Sequence, residues 1–400
     1  MSDTPDDLEK FTAEVSAWLK DNAPDDPGFL LPESFMEVGT DQQFEYLRTW
    51  QKKVYKAGYL GMAWPREYGG GGRPQIYQDI VTREMARQRV PFMVNTIGLN
   101  WAGPLILHMG TEEEKLKYIP GILSAEDIWC QGFSEPDHGS DLGNAQLKAV
   151  RDGDEYILNG SKIWTSLGSY AKYMILLART STGGDSKYAG LSYFLSPMTV
   201  PGIEPRPIKK LTGEYGFCQT FFVDARIPAD CLMGKEGDGW QIAMTTLMFE
   251  RGAAGGQAGG LSMMDMNMGD VLALARSAKR NGRTAIGDPQ IRDELVQLLI
   301  EEKGNQLNNL RSKIPALVSE RPAAISLSGK LRGSEFKRRM TKLAIALQGA
   351  NGARFISDAA IDGGKWQRSY FNAFSATIGG GTSQIQANII GERVLGLPKS

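Results

Sequence analysis

Residues 147–165, LKAVRDGDEYILNGSKIWT, decide the fold class of this chain. They hold a run of strand formers, Tyr156 to Leu158, which follows Asp152-Gly153 and precedes Asn159-Gly160. Asp-Gly and Asn-Gly between strand formers are strong hairpin signals, because both dipeptides adopt the left-handed backbone of tight turns. The stretch therefore predicts antiparallel strands joined by short turns.

Similar short apolar runs follow this stretch and are separated by turn residues. They cover residues 173–178, 191–195, 203–208 and 218–223, and the strand-rich region ends near Pro228. Strands that follow one another closely, with no helix between them, form an antiparallel sheet or barrel. The pattern is evidence against the parallel sheet of a Rossmann dehydrogenase.

Helical patterns lie on both sides of the strand-rich region. Before it, apolar residues recur at steps of three and four, which places them on one helical face. The first such set is Leu8, Phe11, Val15 and Leu19. Asp41 is the expected N-cap of a second helix, and Thr111 with Glu114 predicts a capping box. After Gly239 the helical pattern returns, and Asp288-Pro289 fits a helix start.

The predicted fold class is therefore α+β, with three domains in series. We expect a helical N-terminal domain over residues 1–125 and a middle antiparallel β domain over residues 126–235. A C-terminal helical domain would cover residues 236–400. A chain of 400 residues suggests two or three domains at roughly 100–200 residues each.

Composition excludes several classes of protein. The 45 basic and 46 acidic residues leave a net charge of -1, which argues against a nucleic-acid binder. No apolar run approaches the ~20 residues that span a bilayer. Cys130, Cys218 and Cys231 lack metal-ligand spacing and are expected to be buried free thiols. Only two histidines, His108 and His138, are present, which excludes a histidine-rich zinc site, and no metal is predicted. The polar N-terminus resembles no export signal, so a cytoplasmic location is expected.

Three segments offer chemistry. The first is the loop FSEPDHGSD, residues 133–141, whose hydroxyls and backbone N–H groups could bind an anion or a polar ligand edge. On these residues alone a plain surface turn is the alternative. His138 receives no role and is expected to face solvent.

The second segment is Glu250-Arg251, which lies between Leu247-Met248-Phe249 and a glycine-rich run. A carboxylate among apolar side chains is disfavoured in its charged form, which suits a general base. Glycines one turn later allow a ligand to approach the helix backbone. The alternative is an exposed Glu–Arg pair on a solvated face.

The third segment is GGGTSQIQ, residues 379–386, ahead of a helix expected to begin around Ala387. Thr382 or Ser383 could cap that helix, and the glycines would expose N–H groups near its positive end. Such an arrangement can bind an anion or a carbonyl oxygen. A simple helix start is an equally good interpretation.

Together these strings resemble the acyl-CoA dehydrogenase family of flavoenzymes, over nearly the whole chain and in family order. WPREYGGGG, residues 64–72, resembles the family's Pro-x-x-Tyr-Gly-Gly loop. FSEPDHGSD is similar to its Thr-Glu-Pro-x-x-Gly-Ser-Asp flavin loop, with Ser134 in place of the threonine. NGSKIWTS, residues 159–166, resembles the hairpin that covers the flavin. IPADCLMG with Gly239-Trp240 resembles the domain exit, and GTSQIQ the C-terminal signature.

The resemblance implies FAD as cofactor, a C-terminal four-helix bundle and assembly as a dimer of dimers. In the family, FAD lies between the β domain, the bundle and a neighbouring subunit. The residues carried over to FAD are Phe133, Ser134, Ser140, Trp164, Thr165, Ser166, Thr382 and Gln384. Gln348, Gly349 and Gly352 would reach the partner subunit's FAD, in a stretch where Ala350 replaces a family glycine. Arg276, Arg280 and Arg283 are the candidates for the pyrophosphate contact, with Arg280 chosen. Ser140, Met248, Arg251, Gly380 and Gly381 match positions that line the acyl-CoA site.

One departure from the family pattern concerns the catalytic base. Most members place a glutamate where this chain has Gly380, and a minority carry it at the position of Glu250. The resemblance therefore implies Glu250 as base, which agrees with its apolar neighbours. A backbone N–H near Gly380 and the flavin ribityl hydroxyl would polarise the thioester carbonyl, and hydride would leave for flavin N5.

The implied reaction is α,β-dehydrogenation of an acyl-CoA, with electrons passed to an electron-transfer flavoprotein. The missing side chain at Gly380 leaves room for a bulky, branched or ring-bearing acyl group. The assembly could be a homotetramer or a heterotetramer with a related subunit. Two alternatives stay open: a subunit that is inactive without its partner chain, and an acyl-CoA oxidase on the same fold.

Overall fold

The computed structural model describes residues 4–182, 184–250, 258, 266–280, 282–312, 314–318 and 323–398. The chain divides into two compact units, Met1–Met264 and Asp265–Ser400. The division into three domains with boundaries near residues 125 and 235 stays a prediction. Arg251 lies outside the described residues, as does most of the glycine-rich run after it.

Helices form the first part of the first unit, as the periodicity predicts. They are α1 (Pro5–Asn22), α2 (Asp41–Lys56), α3 (Gln75–Gln88), α4 (Gly103–Met109) and α5 (Glu112–Ser124), with a π-helical turn at Gly98–Ala102 before α4. The predicted capping box at Thr111 and Glu114 is confirmed. The predicted cap at Asp41 is wrong by one residue: Thr40 caps α2, because its side chain accepts the Gln43 N–H and its backbone is extended.

A mixed, mainly antiparallel sheet follows. Its strands are β1 (Trp129–Gly132), β2 (Lys148–Asp152), β3 (Glu155–Ser166), β4 (Tyr173–Arg179), β5 (Leu191–Pro197), β6 (Ile203–Ile208), β7 (Phe217–Pro228) and β8 (Leu232–Met233). The order is β6-β7-β3-β2-β4-β5-β8, and β1 pairs with β4. Only the β1–β4 and β2–β4 pairs within this sheet are parallel. The fold class is confirmed.

The two hairpin signals that define the fold class behave differently. Asp152 pairs with Glu155, so the hairpin predicted at Asp152-Gly153 is confirmed, and its two turn residues are Gly153 and Asp154. Asn159-Gly160 is not a turn, and that expectation is wrong. It forms a bulge inside β3, where the Asn159 side chain both accepts from and donates to Asp224 on β7 at 3.0 Å. Gly160 has a φ of 139°, and a Cβ there would lie 3.1 Å from Leu147 Cα.

The two faces of the sheet pack into different parts of the core. Ile175, Leu177 and Tyr193 join the large apolar cluster that also contains buried side chains from each of α1 to α5. Leu176 and Phe194, which alternate with them, pack in a second cluster with Tyr156. The helix α6 (Gly239–Glu250) contributes Ile242, Ala243 and Phe249 to the first cluster. Because strand side chains alternate, one sheet supports both clusters.

The described residues of the second unit are helical, apart from one short two-stranded ribbon and the connecting loops. It contains α7 (Met268–Ser277), β9 (Lys279–Arg280), β10 (Arg283–Thr284), α8 (Pro289–Arg311), α9 (Ala323–Leu347), α10 (Lys365–Ala376) and α11 (Ser383–Ile389), and a π-helical turn at Ile390–Val394. Asp288 caps α8 with Pro289 in its first turn, as predicted. The core of this unit includes Leu274, Leu295, Leu298, Leu343, Leu347 and Trp366.

Within the described ranges, no helix is both long and apolar enough to cross a membrane. The three cysteines are free and buried, as predicted. Burial raises the pKa of the Cys231 thiol to about 11 and raises the pKa of Cys130 and Cys218 as well. Because the thiolate is the reactive form, these cysteines are unreactive at neutral pH.

Candidate active site

The loop 133–147 is fixed to the sheet by a buried ion pair. Lys162, in the middle of β3, has no exposed surface, and its Nζ donates to Glu135 Oε1 at 2.8 Å and to Phe133 O at 3.0 Å. The Glu135 carboxylate also accepts the backbone N–H groups of Gln146 (2.6 Å) and Leu147 (2.8 Å). One carboxylate therefore joins the start of the loop, its end and β3.

Both charges of this pair are perturbed by their surroundings. Burial lowers the pKa of Lys162 to about 8, against the opposing effect of the Glu135 charge. Burial alone would raise the pKa of Glu135, but the Lys162 charge and three hydrogen bonds outweigh it, and the pKa is lowered. At neutral pH both groups are therefore charged, as their hydrogen-bond geometry requires.

The backbone after Lys162 presents the residues that the resemblance assigns to FAD. Ile163 N–H donates to Ser134 O at 2.8 Å, so consecutive residues of β3 hold the carbonyls of Phe133 and Ser134. A bulge follows, and Trp164 takes a left-handed φ of 61° with 56% of its surface exposed. A bulky residue in that region is strained, and such strain is typical of functional sites.

Thr165 and Ser166 follow Trp164 in β3 and are buried. The Thr165 hydroxyl accepts from Thr220 on β7 at 3.2 Å, which fixes its rotamer. The Trp164 ring stands edge-on to Phe217 at 5.8 Å. The structure thus brings Phe133, Ser134 and residues 164–166 together on two adjacent segments of backbone.

Ser140 lies at the exposed tip of the loop, and neighbouring ionic contacts position this tip. Asp141 pairs with Lys187 at 2.6 Å and accepts from the Asn144 side chain at 2.6 Å. Arg179 donates to four backbone carbonyls of residues 143–145 and 187–189. His138 bonds to Glu135 through backbone atoms, and its imidazole is half-buried rather than fully solvent-facing.

Glu250 is the last described residue of α6, and its side chain is half-buried. Met248 is 50% exposed, whereas Phe249 is buried in the core. One turn earlier, the Thr246 hydroxyl lies 2.9 Å from the Tyr193 hydroxyl of β5, and both residues are fully buried. The Tyr193 ring packs edge-on against Phe133 at 5.9 Å. A chain of contacts therefore connects the 133–147 loop to the helix that carries Glu250.

In the second unit, Gln348 and Gly349 lie at the end of α9. Gly349 has a φ of 57°, and a Cβ there would lie 3.9 Å from Arg280 Cγ. Of the three candidate arginines, Arg280 is the one that this contact places beside Gly349. Gln367 Nε2 donates to Gln348 Oε1 (3.2 Å) and to Gly352 O (3.1 Å), so a buried amide ties these two positions together.

The segment Gly380–Gln384 turns sharply ahead of α11. Gly380 and Gly381 have φ values of 65° and 91°, which favour glycine. Gln386 Nε2 donates to Gly380 O at 2.8 Å, and Lys330 Nζ donates to Gly381 O. Thr382 caps α11, which begins at Ser383 rather than near Ala387 as expected. Gln384, in the first turn of α11, is exposed.

The residues present fit FAD in donor chemistry. A flavin dinucleotide exposes ring carbonyls and a pyrophosphate, and both require donors. Gln131 Nε2, on β1, is buried and has no hydrogen-bond partner among the described residues. It stands two positions before Phe133. In the second unit, Arg280 offers a guanidinium beside a glycine turn. These groups match the acceptors that FAD would bring.

The sequence alone indicates no role for Gln131, Glu135, Lys162, Tyr193 or Thr246. A signal existed for Lys162 alone: it stands two residues after Gly160 in a strand, where a lysine on the inward face indicates a buried charge. The contacts of Tyr193 with Thr246 and Phe133 cross distant parts of the chain, so spacing could not indicate them.

Comparisons with known proteins extend over the same regions. The chain matches the acyl-CoA dehydrogenase N-terminal, middle and C-terminal domains over residues 33–126, 130–225 and 237–395. Acyl-CoA dehydrogenase IpdE1 of Mycobacterium tuberculosis is 36% identical over 398 residues, which cover 98% of each protein.

Two solved structures share the fold. The Tcur3481-Tcur3483 steroid ACAD superposes with a TM-score of 0.79 at 30% identity and covers 100% of both chains. The ChsE4-ChsE5 complex from Mycobacterium tuberculosis gives a TM-score of 0.75 at 26% identity, again over 100% of both chains.

Proposed function

Because the chain belongs to the acyl-CoA dehydrogenase family, we propose that it oxidises a bulky, branched or ring-bearing acyl-CoA to the trans-2-enoyl-CoA. The enzyme class is an FAD-dependent oxidoreductase. The observation that carries the assignment of the base is the pair of positions Gly380 and Glu250. A glycine with a φ of 65° stands where most members have the catalytic glutamate, and a carboxylate ends the described part of α6.

The resemblance to the family assigns FAD contacts to residues of each unit. In the first unit these are Phe133, Ser134, Ser140, Trp164, Thr165 and Ser166. In the second unit they are Arg280, Thr382 and Gln384, whereas Gln348, Gly349 and Gly352 would reach the FAD of the partner subunit. When bound, FAD supplies the acceptor for the hydride that leaves the β-carbon. The Ser134 and Ser166 hydroxyls offer short polar contacts, and Arg280 offers charge to the pyrophosphate.

Glu250 would remove the α-proton of the thioester. Its helix is anchored by the Tyr193–Thr246 contact and by the buried Phe249 ring, so the carboxylate is carried on a rigid element. A backbone N–H near Gly380 would donate to the thioester carbonyl and stabilise the enolate that forms as the proton leaves. Met248, Ser140, Arg251 and Gly381 would line the substrate.

The substrate class rests on two features. Gly380 carries no side chain, so the position that a glutamate fills in most members leaves volume for a branched or cyclic acyl group. The Tcur3481-Tcur3483 relative, which shares the fold, is a steroid ACAD, and a steroid is a ring-bearing compound. A straight-chain acyl group would leave that volume to water.

A second acyl-CoA dehydrogenase chain is the proposed partner. Helix α8 exposes an apolar row at helical spacing: Val296, Ile300, Leu307 and Leu310, each at least 50% exposed. An exposed apolar row that extends over nearly four turns of a helix marks an interface. The ChsE4-ChsE5 structure is a complex of two chains, so the partner could be a second copy or a related subunit. Electrons would pass to an electron-transfer flavoprotein.

Anaerobic titration of the purified protein with a panel of acyl-CoAs tests this function. The oxidised-flavin absorbance should bleach with ring-bearing or branched thioesters and bleach less with short straight chains. Clear preference for short straight chains would overturn the substrate class. A flavin that no thioester bleaches would support the inactive-subunit alternative, and rapid oxygen consumption would support the oxidase.

A further inference from the structure

The buried pair Lys162–Glu135 has no assigned role in the reaction, although it lies between the segments that would hold the flavin. Lys162 has no exposed surface, and Glu135 is 6% exposed. The hydrogen bonds that the Lys162 and Glu135 side chains make join these side chains to each other or to backbone atoms. The pair thus fixes backbone positions rather than packing against a surface.

A stability role does not account for this pair. Removing two charges from water costs several kcal/mol per ion, and well-packed apolar residues in place of a buried ion pair are often neutral or stabilising. The lowered pKa of Lys162 shows the same cost, because burial disfavours its charged form. What an apolar pair could not reproduce is the set of hydrogen bonds to the backbone.

Those hydrogen bonds meet at one place. Lys162 Nζ holds Phe133 O at 3.0 Å, while the next residue, Ile163, holds Ser134 O at 2.8 Å. Immediately afterwards, the strand bulges and turns Trp164 outwards. The spacing between the Phe133–Ser134 backbone and the Trp164–Ser166 backbone therefore depends on the reach of the Lys162 side chain to its two acceptors.

We propose that Lys162 and Glu135 are positioning residues for the flavin: their ion pair sets the separation of the two backbone segments that contact it. This inference rests on the proposed function, since it assumes that FAD occupies these segments. Neither residue touches reacting atoms. Their effect passes through Phe133, Ser134 and Trp164, and it should therefore appear in cofactor binding and in flavin spectra as well as in rate.

The test is Lys162→Met, with Arg226→Met as matched control. Arg226 forms an ion pair with Asp152 and Glu155 at 3.0 and 2.9 Å, at the far end of the β2–β3 hairpin, and these contacts are half-exposed. We expect Lys162→Met to raise the FAD dissociation constant at least about tenfold, as loss of well-placed hydrogen bonds does. The near-ultraviolet flavin band should shift as well. Arg226→Met should stay within about twofold of wild type.

A second variant keeps the test decisive if Lys162→Met does not fold. The double variant Lys162→Gln/Glu135→Gln removes both charges, retains polar side chains and leaves no buried ion alone. We expect its apoprotein to fold, with weakened FAD binding and a shifted flavin band. An FAD dissociation constant within about twofold of wild type, together with an unshifted flavin band, would overturn the proposal, whatever the change in melting temperature. A wild-type protein that binds no FAD would instead overturn the proposed function.

Discussion

The hydroxyl of Tyr193 lies 2.9 Å from the hydroxyl of Thr246, within a fully buried part of the first unit. Thr246 donates its own hydrogen to Ile242 O at 3.0 Å, so Tyr193 is the donor in the pair. Burial raises the pKa of Tyr193, which keeps the phenol neutral and able to donate. The contact joins β5, which also supports Phe133, to the helix of the proposed base.

Removal of either hydroxyl should destabilise the protein, but by different amounts. Tyr193→Phe deletes a donor and should cost about 1 kcal/mol in the free energy of unfolding. Thr246→Val leaves the Tyr193 hydroxyl buried without an acceptor, which should cost about 1–3 kcal/mol. Urea unfolding of both variants provides the comparison. A smaller loss in Thr246→Val than in Tyr193→Phe would contradict the assignment of Tyr193 as donor.

Stability should depend on pH through Lys162. Burial lowers the pKa of Lys162 to about 8 from its ordinary 10.5, with Arg179 adding to this effect and Glu135 opposing it. Between these two pKa values, the unfolded chain binds more protons at this site than the folded chain does. The free energy of unfolding therefore increases as the pH rises. From pH 8 to 10, the free energy of unfolding of wild type should therefore rise relative to that of Lys162→Met by at most about 1 kcal/mol per pH unit. Unfolding midpoints across this range measure it, and a flat or falling difference would contradict it.

The glycine turn ahead of α11 offers a test with a control two residues away. Gly381 has a φ of 91°, and a Cβ there would lie 2.8 Å from Gln386 Nε2. Gly381→Ala should therefore lower the free energy of unfolding by about 1–3 kcal/mol. A Cβ at Gly379 would make an ordinary 3.5 Å contact with Ser375 O, so Gly379→Ala should be nearly neutral. Equal effects of the two variants in thermal unfolding would argue against the turn geometry.

The apolar row on α8 should control assembly. A charge at Ile300, which is 62% exposed, would have to be desolvated in an interface, so Ile300→Glu should shift the protein to smaller species. Gln297→Glu adds the same charge at an exposed position about 60° around α8 from Ile300, outside the apolar row, and serves as control. Sedimentation velocity measures both. If Ile300→Glu sediments as wild type does, α8 is not the interface.

Local signals in the sequence predicted most of the fold. The helix starts at Thr111 and Asp288 depend on side chains within three residues, and the Gly153-Asp154 turn depends on its own dipeptide. These features were therefore readable from neighbouring residues. The bulge at Asn159-Gly160 was not, because Asp224, far along the chain, supplies the hydrogen bonds that replace a turn.

The site was predictable where a string resembles a family motif and not where it depends on long-range contacts. Phe133, Ser134 and residues 164–166 come together as the strings suggested. The ion pair that joins them links positions 135 and 162, and the Tyr193–Thr246 contact spans 53 residues. Such pairs depend on the register of the sheet, which spacing along the chain does not determine. The roles of all the predicted site residues in binding stay predictions.

The most direct test of the account is single-turnover reduction of the flavin in Glu250→Gln under anaerobic conditions. With a ring-bearing acyl-CoA that bleaches wild type, we predict that the variant still binds the thioester but bleaches at least about a hundredfold more slowly, as loss of a general base requires. Glu155→Gln, at the far end of the β2–β3 hairpin, should react as wild type does. Bleaching of Glu250→Gln at the wild-type rate would contradict the assignment of Glu250 as the base.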